Sequence, residues 1–202
     1  MNHAIVRTDC LAATKNRDLM VSLFVSEQDG VDNGYIAALA GLKDEEREIY
    51  NIDFPNEAFM GYADIVLIST PELDSVKEYG LDSFYNKYQN EARGYKLHDG
   101  DIFSVTEEAL EKDESVDEIV VGDYIIATDS YKMVVSENPA VDGSEDIDLG
   151  CIIDINIVAG TKFYAIEVGQ EGSPEHGGDA SSSLVGTGVV GSMIVGTDST
   201  GG

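Results

Sequence analysis

Between Arg93 and Thr128 one short pattern occurs twice. Gly100-Asp101-Ile102 opens an apolar run that ends at Thr106, and Gly122-Asp123-Tyr124 opens another that ends at Thr128, with the second glycine 22 residues after the first. Glycine reaches positive φ without a Cβ penalty, and the aspartate side chain bonds nearby backbone, so the pair reads as a tight turn. The β-branched and aromatic residues that follow favour extended chain. Each unit therefore delivers the chain into a strand, and together they predict neighbouring strands of a small β-sheet or barrel.

The rest of the chain fits a mainly β reading with short helical pieces. Residues 3–8 form a candidate strand, and Thr14 to Val25 reads as a helical turn leading into the apolar run from Leu19, with helix and strand competing. Tyr35–Leu42 and Glu48–Phe54, joined by a short charged connection, predict a hairpin. Ala63–Thr70 is apolar throughout and stopped by Pro71, as expected of a strand buried on both faces. Leu81, Phe84, Tyr85 and Tyr88 recur at helical spacing and predict one helix over about Leu81–Ala92, ended by Gly94. Glu107–Glu118 holds seven acids against Lys112 alone, and reads as a solvated turn at the edge of the body. Tyr131–Ser136 is a further strand, and Cys151–Val158 with Lys162–Val168 around Gly160 is a last hairpin.

From Gly169 the composition changes. Ten of the 21 glycines lie in 169–202, and no lysine or arginine follows Lys162. Such a segment loses too much backbone entropy to order alone, so an arm lying on a partner is expected. Its apolar residues Leu184, Val185, Val189, Val190, Met193, Ile194 and Val195 are the candidate partner interface. The expected architecture is mainly β (α+β): a sheet or barrel body with one or two short helices over 1–168, then a Gly/Ser-rich arm over 169–202.

Charge narrows the function classes. With 39 acids against 12 Lys and Arg, the formal net charge is -27. That field repels nucleic-acid phosphates and anionic membranes, and suits a basic partner, bound cations or solubility at high local concentration. No window offers the roughly 20 apolar residues of a membrane helix, and the N-terminus lacks an apolar signal core. Cys10 and Cys151 show neither a disulfide framework nor metal spacing, and read as two buried free thiols of a protein made in a reducing cytosol.

No enzyme is read from these residues. The histidines are His3, His98 and His176, with no Gly-x-Ser-x-Gly, phosphate-loop or dinucleotide fingerprint near them. His98, beside Asp99 and Asp101 in the first Gly-Asp turn, reads as a solvated turn residue. Asp142–Asp148 lacks the spacing and closing glutamate of a calcium loop. No cofactor or metal is implied.

The string Arg93-Gly-Tyr-Lys-Leu-His-Asp-Gly-Asp-Ile-Phe-Ser-Val-Thr-Glu-Glu-Ala-Leu110, with Asp64-Ile-Val-Leu-Ile-Ser-Thr-Pro-Glu72 upstream, resembles small structural proteins of tailed bacteriophages that infect Gram-positive bacteria. The resemblance covers about residues 1–168; the acidic spacer and the tail fall outside it. It implies a virion protein made in the host cytoplasm: a decoration or cement protein on the outside of the phage head. Its partners would be the major capsid protein and neighbouring copies of itself, with no nucleic acid and no membrane. A tail-tube or head–tail connection protein and an acidic DNA-mimic inhibitor are the alternative classes.

Overall fold

In a computed structural model, residues 2–55, 65–71, 81–140 and 146–169 are described. The strands are β1 (Val6–Cys10), β2 (Met20–Phe24), β3 (Ile36–Leu42), β4 (Ile49–Asp53), β5 (Ile65–Ile68), β6 (Glu91–Lys96), β7 (Ile102–Val105), β8 (Leu110–Lys112), β9 (Tyr124–Ala127), β10 (Met133–Ser136), β11 (Ile147–Val158) and β12 (Thr161–Val168). Strands β2-β4-β3-β5-β6 close into a barrel, and the others form a seven-stranded sheet in the order β1-β7-β12-β11-β9-β10-β8. The mainly β class holds. Where short helices were expected, the described residues carry only three-residue 3-10 turns, at Ala12–Thr14, Arg17–Leu19, Leu81–Ser83 and Glu107–Ala109.

Among the described residues, barrel and sheet have no strand in common and meet through a shared core, to which β5 of the barrel contributes. All four residues of β5 are buried, and period-two alternation divides them between two cores. Ile65 and Leu67 pack with Leu97, Phe103, Tyr164 and Ile166 in the larger core. Val66 and Ile68 pack with Leu23, Val25, Ala37 and Ile52 in the smaller one. Each fully buried aliphatic side chain contributes about 1.5–3 kcal/mol, so β5 stabilises both halves at once. The continuous apolar run is thus explained by burial on two faces.

Both expected hairpins form. β3 and β4 pair antiparallel with an irregularity between Leu39 and Leu42. β11 and β12 pair from Gly150↔Val168 to Val158↔Thr161 around the turn Ala159-Gly160, where both residues have positive φ. The strand expected at 3–8 is shifted to Val6–Cys10, because two earlier N–H groups have side-chain acceptors. Ala4 donates to Asp32 Oδ2 (2.9 Å) and Ile5 to Thr106 Oγ1 (3.1 Å). The Glu107–Glu118 stretch turns and then supplies β8, which pairs parallel with β10 at the end of the sheet.

The helix expected over Leu81–Ala92 does not form. After the 3-10 turn the chain bridges at Asn86 to Val31, reverses at Gln89 with φ 61°, and enters β6. Asn86, 4% exposed, donates through Nδ2 to the Val31 carbonyl and to Asn33 Oδ1 (both 3.1 Å). Asn33 accepts from the Thr70 N–H (2.9 Å) and donates back to the Thr70 carbonyl (3.0 Å). Residues 91–96 gain two neighbouring strands, β2 and β5. That pairing, with a buried amide network ahead of it, outweighs helical spacing, and Tyr88 is left 45% exposed.

Candidate functional site

The two Gly-Asp turns are one device used twice. Gly100 and Gly122 have φ of 82° and 101°. The Gly100 N–H donates to the Val168 carbonyl (2.9 Å), and the Val168 N–H returns to the Asp101 carbonyl (2.9 Å). At the second turn Gly122 donates to the Ile152 carbonyl (2.8 Å) and the Ile152 N–H to the Asp123 carbonyl (2.9 Å). Each aspartate also caps the residue three before it: Asp101 Oδ2 accepts from the His98 N–H (2.9 Å), and Asp123 Oδ2 from the Val120 N–H (2.8 Å). The strands they feed, β7 and β9, are not neighbours as expected. They flank the β11–β12 hairpin, one on each side. The repeat therefore clamps the two strands of one hairpin.

The copies differ at the second carboxylate oxygen. Asp101 Oδ1 accepts from the Ala12 N–H (2.7 Å), whereas buried Asp123 Oδ1 has no partner among the described residues. His98 is exposed, with its ring nitrogen 3.3 Å from the Lys96 carbonyl, as a solvated turn residue should be.

What the clamp holds is the most prominent surface feature. Past the clamp the hairpin continues to a tip at which Ile157 is 74% and Val158 44% exposed. No acid occurs from Ile155 to Ile166. Phe163 on the hairpin lies under the Arg7 guanidinium, 5.8 Å from the ring centroid, and Lys162 lies 5.1 Å over Tyr164. An acid-free, largely apolar tip that carries Lys162 on a strongly acidic body is a surface for contact with another macromolecule.

Shallow depressions lie elsewhere on the surface. An open depression of about 600 Å³ is lined by Tyr35, Phe54, Glu111, Asp129, Tyr131 and Lys132. Phe54 and Tyr131 meet at 4.8 Å between centroids, and the Tyr131 hydroxyl lies 3.4 Å from Glu27 Oε1. Burial, then the charge of Asp32, pushes Tyr35 up to about 12. Burial, then Glu27 and Asp53, pushes Tyr131 up as well. Both phenols stay neutral and offer no nucleophile near neutral pH. The Ile36 N–H donates to the Tyr131 carbonyl (2.9 Å), so this is a joint between sheet and barrel. A second depression, of about 380 Å³, is lined by Arg17, Arg93, Met20, Val21 and Ser22. A third of similar size holds Asn2, His3, Asp82, Thr106 and Glu108. There His3 Nδ1 contacts Asp32 Oδ1 at 2.7 Å and its ring stacks on Tyr85 at 4.6 Å.

Leu184, Val185, Val189, Val190, Met193, Ile194 and Val195 lie outside the described residues, as does most of Asp142–Asp148. Of the two thiols expected to be buried, Cys151 is, and burial followed by Glu167 raises it. Cys10 is exposed, because it ends β1 at a sheet edge where an irregular pairing with β7 begins. Among the described residues no group of three metal-binding side chains converges, and no helix is long and apolar enough to cross a membrane. The hairpin tip was not singled out from sequence, although the acid-free run and the Gly160 turn are its signature. Comparison with protein-family models, curated proteins and solved structures found no match.

Proposed function

We propose that the chain is a virion structural protein: a decoration or cement protein that binds the outside of an assembled phage head and stabilises it. The observation that carries this reading is the clamped hairpin, which presents an acid-free, largely apolar tip on a chain of net charge -27. A paired hairpin clamped at its base by β7 and β9 docks at less conformational cost than an unpaired loop. The acidic remainder keeps many copies soluble and directs basic surface of the partner toward the body. The sequence resemblance over 64–72 and 93–110 supplies the partner, the major capsid protein. The apolar residues at 184–195 are proposed as a second contact, reaching neighbouring copies. Because the protein would bind the assembled shell and not its dissociated subunits, each docked copy adds its binding free energy to the shell.

Counting this chain against the major capsid protein in purified, DNA-filled particles tests the reading. Stoichiometric or near-stoichiometric copy number, with heat-labile heads when the chain is absent, is the expected result. A copy number of a few per cent would move the proposal to a tail-tube or head–tail connection protein. Absence from the particle, with salt-sensitive binding to a basic nucleic-acid enzyme, would favour an acidic DNA mimic.

A further inference from the structure

Among the described residues, nothing pairs with the outer edge of the hairpin from Asp154 to Val158. Ile152 is the last residue of β11 held from that side, by its two hydrogen bonds to Gly122 and Asp123. Beyond it, among the described residues, β11 pairs only with β12, through Asp154↔Ala165, Ile155↔Tyr164, Asn156↔Phe163, Ile157↔Lys162 and Val158↔Thr161. Residues in an antiparallel ladder alternate between bonding their partner and presenting N–H and C=O to the other side. Val158 and Thr161 close a two-residue turn and bond each other. Counting back, Asn156 and Asp154 bond inward, and Ile157 and Ile155 present their backbone groups outward. Ile152, which bonds outward to the clamp, fits the same count across the irregularity between Ile152 and Asp154.

We propose that this edge pairs with the same edge of a second copy, antiparallel about Asn156, so that two hairpins join into one four-stranded sheet. In that register Ile155 faces Ile157 of the second copy and the reverse, which matches all the outward backbone groups in two hydrogen-bonded pairs. The isoleucine side chains then line one face as apolar cross-strand pairs. Asn156 meets Asn156 of the second copy, amide to amide. Asp154 meets Val158 of the second copy, so no like charges are opposed. The acid-free run from Ile155 to Ile166 is a place where two copies of net charge -27 approach with little local repulsion. Exposed Val120 and Val121, just before the clamping Gly122, continue the apolar surface beside this edge.

Asp154 guards the edge in the single chain. Its Oδ1 accepts from the Ile155 N–H and its Oδ2 from Asn156 Nδ2, both at 2.8 Å. A carboxylate over an outward N–H is a device that blunts strand edges, and it must swing aside for pairing. With a contact only five residues long, the pairing is weak and forms where copies are crowded. It requires nothing but this chain, so it stands or falls independently of shell binding.

Cysteine trapping of the full-length chain tests the register, in a Cys10→Ser background that removes the exposed thiol. About the proposed axis, the two copies of residue 156 have Cα atoms roughly 4.5 Å apart, within disulfide range. Two copies of residue 154, or of residue 158, are about 13 Å apart and cannot bridge. At high protein concentration under mild oxidation, Asn156→Cys is expected to give a disulfide dimer. Asp154→Cys alone and Val158→Cys alone should give none, while their mixture gives a mixed dimer. Adding Asp154→Ala to Asn156→Cys raises the yield several-fold, and adding Ile157→Lys at the exposed tip abolishes it. Salt raises the yield, because it screens the repulsion between the acidic bodies. Equal trapping at all three positions, no trapping at 156, or a yield that falls with salt overturns the proposal.

Discussion

Asp101 and Asp123 occupy the same place in two copies of one turn, yet they carry different loads. Asp101, 4% exposed, uses both oxygens, on the Ala12 and His98 N–H groups, and so ties the chain after β1 to the turn before β7. Asp123, 1% exposed, uses one. Asp101→Asn puts an amide nitrogen against one of two buried donors and is expected to cost about 1.5–3 kcal/mol. Asp123→Asn keeps the bond to Val120 and removes a buried charge, so its effect should stay within about 1 kcal/mol. Urea unfolding of the two variants at neutral pH makes the comparison, and equal losses would contradict it. Tyr35 sets a pH dependence at the alkaline end. Its folded pKa of about 12 lies above the unfolded value near 10, so above the unfolded value the unfolded chain releases the proton first. The contribution of Tyr35 to stability is therefore constant below about pH 10 and is lost as pH rises toward the folded value. Tyr35→Phe should flatten that fall in urea midpoints followed across the window.

Within the hairpin the two strands approach closely where β11 leaves β9. A Cβ at Gly150 would run into the Glu167 carbonyl, a backbone atom of the paired strand. Because backbone on both sides is fixed by the ladder and by the Leu149–Gly169 bond (3.0 Å), the strain cannot relax into a side chain. Gly150→Ala is expected to cost more than about 3 kcal/mol, beyond the usual range for overpacking. Gly94 in β6 is the gentler case: its added Cβ would lie 2.9 Å from Leu23 Cδ1 and 3.0 Å from Val21 Cγ2, side-chain atoms that can shift. There about 1–3 kcal/mol is expected. A urea series on both variants checks the order, which would fail if Gly94→Ala were the worse.

At the scale of the whole molecule, charge works against the fold. A net charge of -27 on one chain repels itself in the compact state more than in the unfolded one, where the charges are farther apart. The Debye length shrinks from about 30 Å at 0.01 M salt to about 10 Å at 0.1 M, so added salt removes most of this cost. The midpoint of thermal unfolding should rise as sodium chloride goes from about 0.01 to 0.3 M, with most of the gain below 0.1 M. A midpoint that fell with salt would mean that favourable pairs, not net repulsion, dominate.

Local chemistry made much of this legible in the sequence. The turns at Gly100 and Gly122, the β3–β4 and β11–β12 hairpins, and the double burial of β5 all follow from positive-φ residues and apolar period within a few positions. What sequence could not supply was the partner of each strand. The Gly-Asp units looked adjacent because they are near in the chain, but the β11–β12 hairpin, which lies C-terminal to both, inserts between β7 and β9. Residues 84–88 have helical spacing, yet β6 is decided by β2 and β5 and by the Asn33–Thr70 and Asn86–Asn33 bonds, which span 37 and 53 residues. The same holds for the surface: an acid-free run is visible in the sequence, but only the tertiary arrangement ends the clamp at Ile152 and leaves Asp154–Val158 with an edge unpaired among the described residues. Turn and period are properties of neighbouring residues; pairing and exposure depend on which distant backbone groups arrive to satisfy a strand.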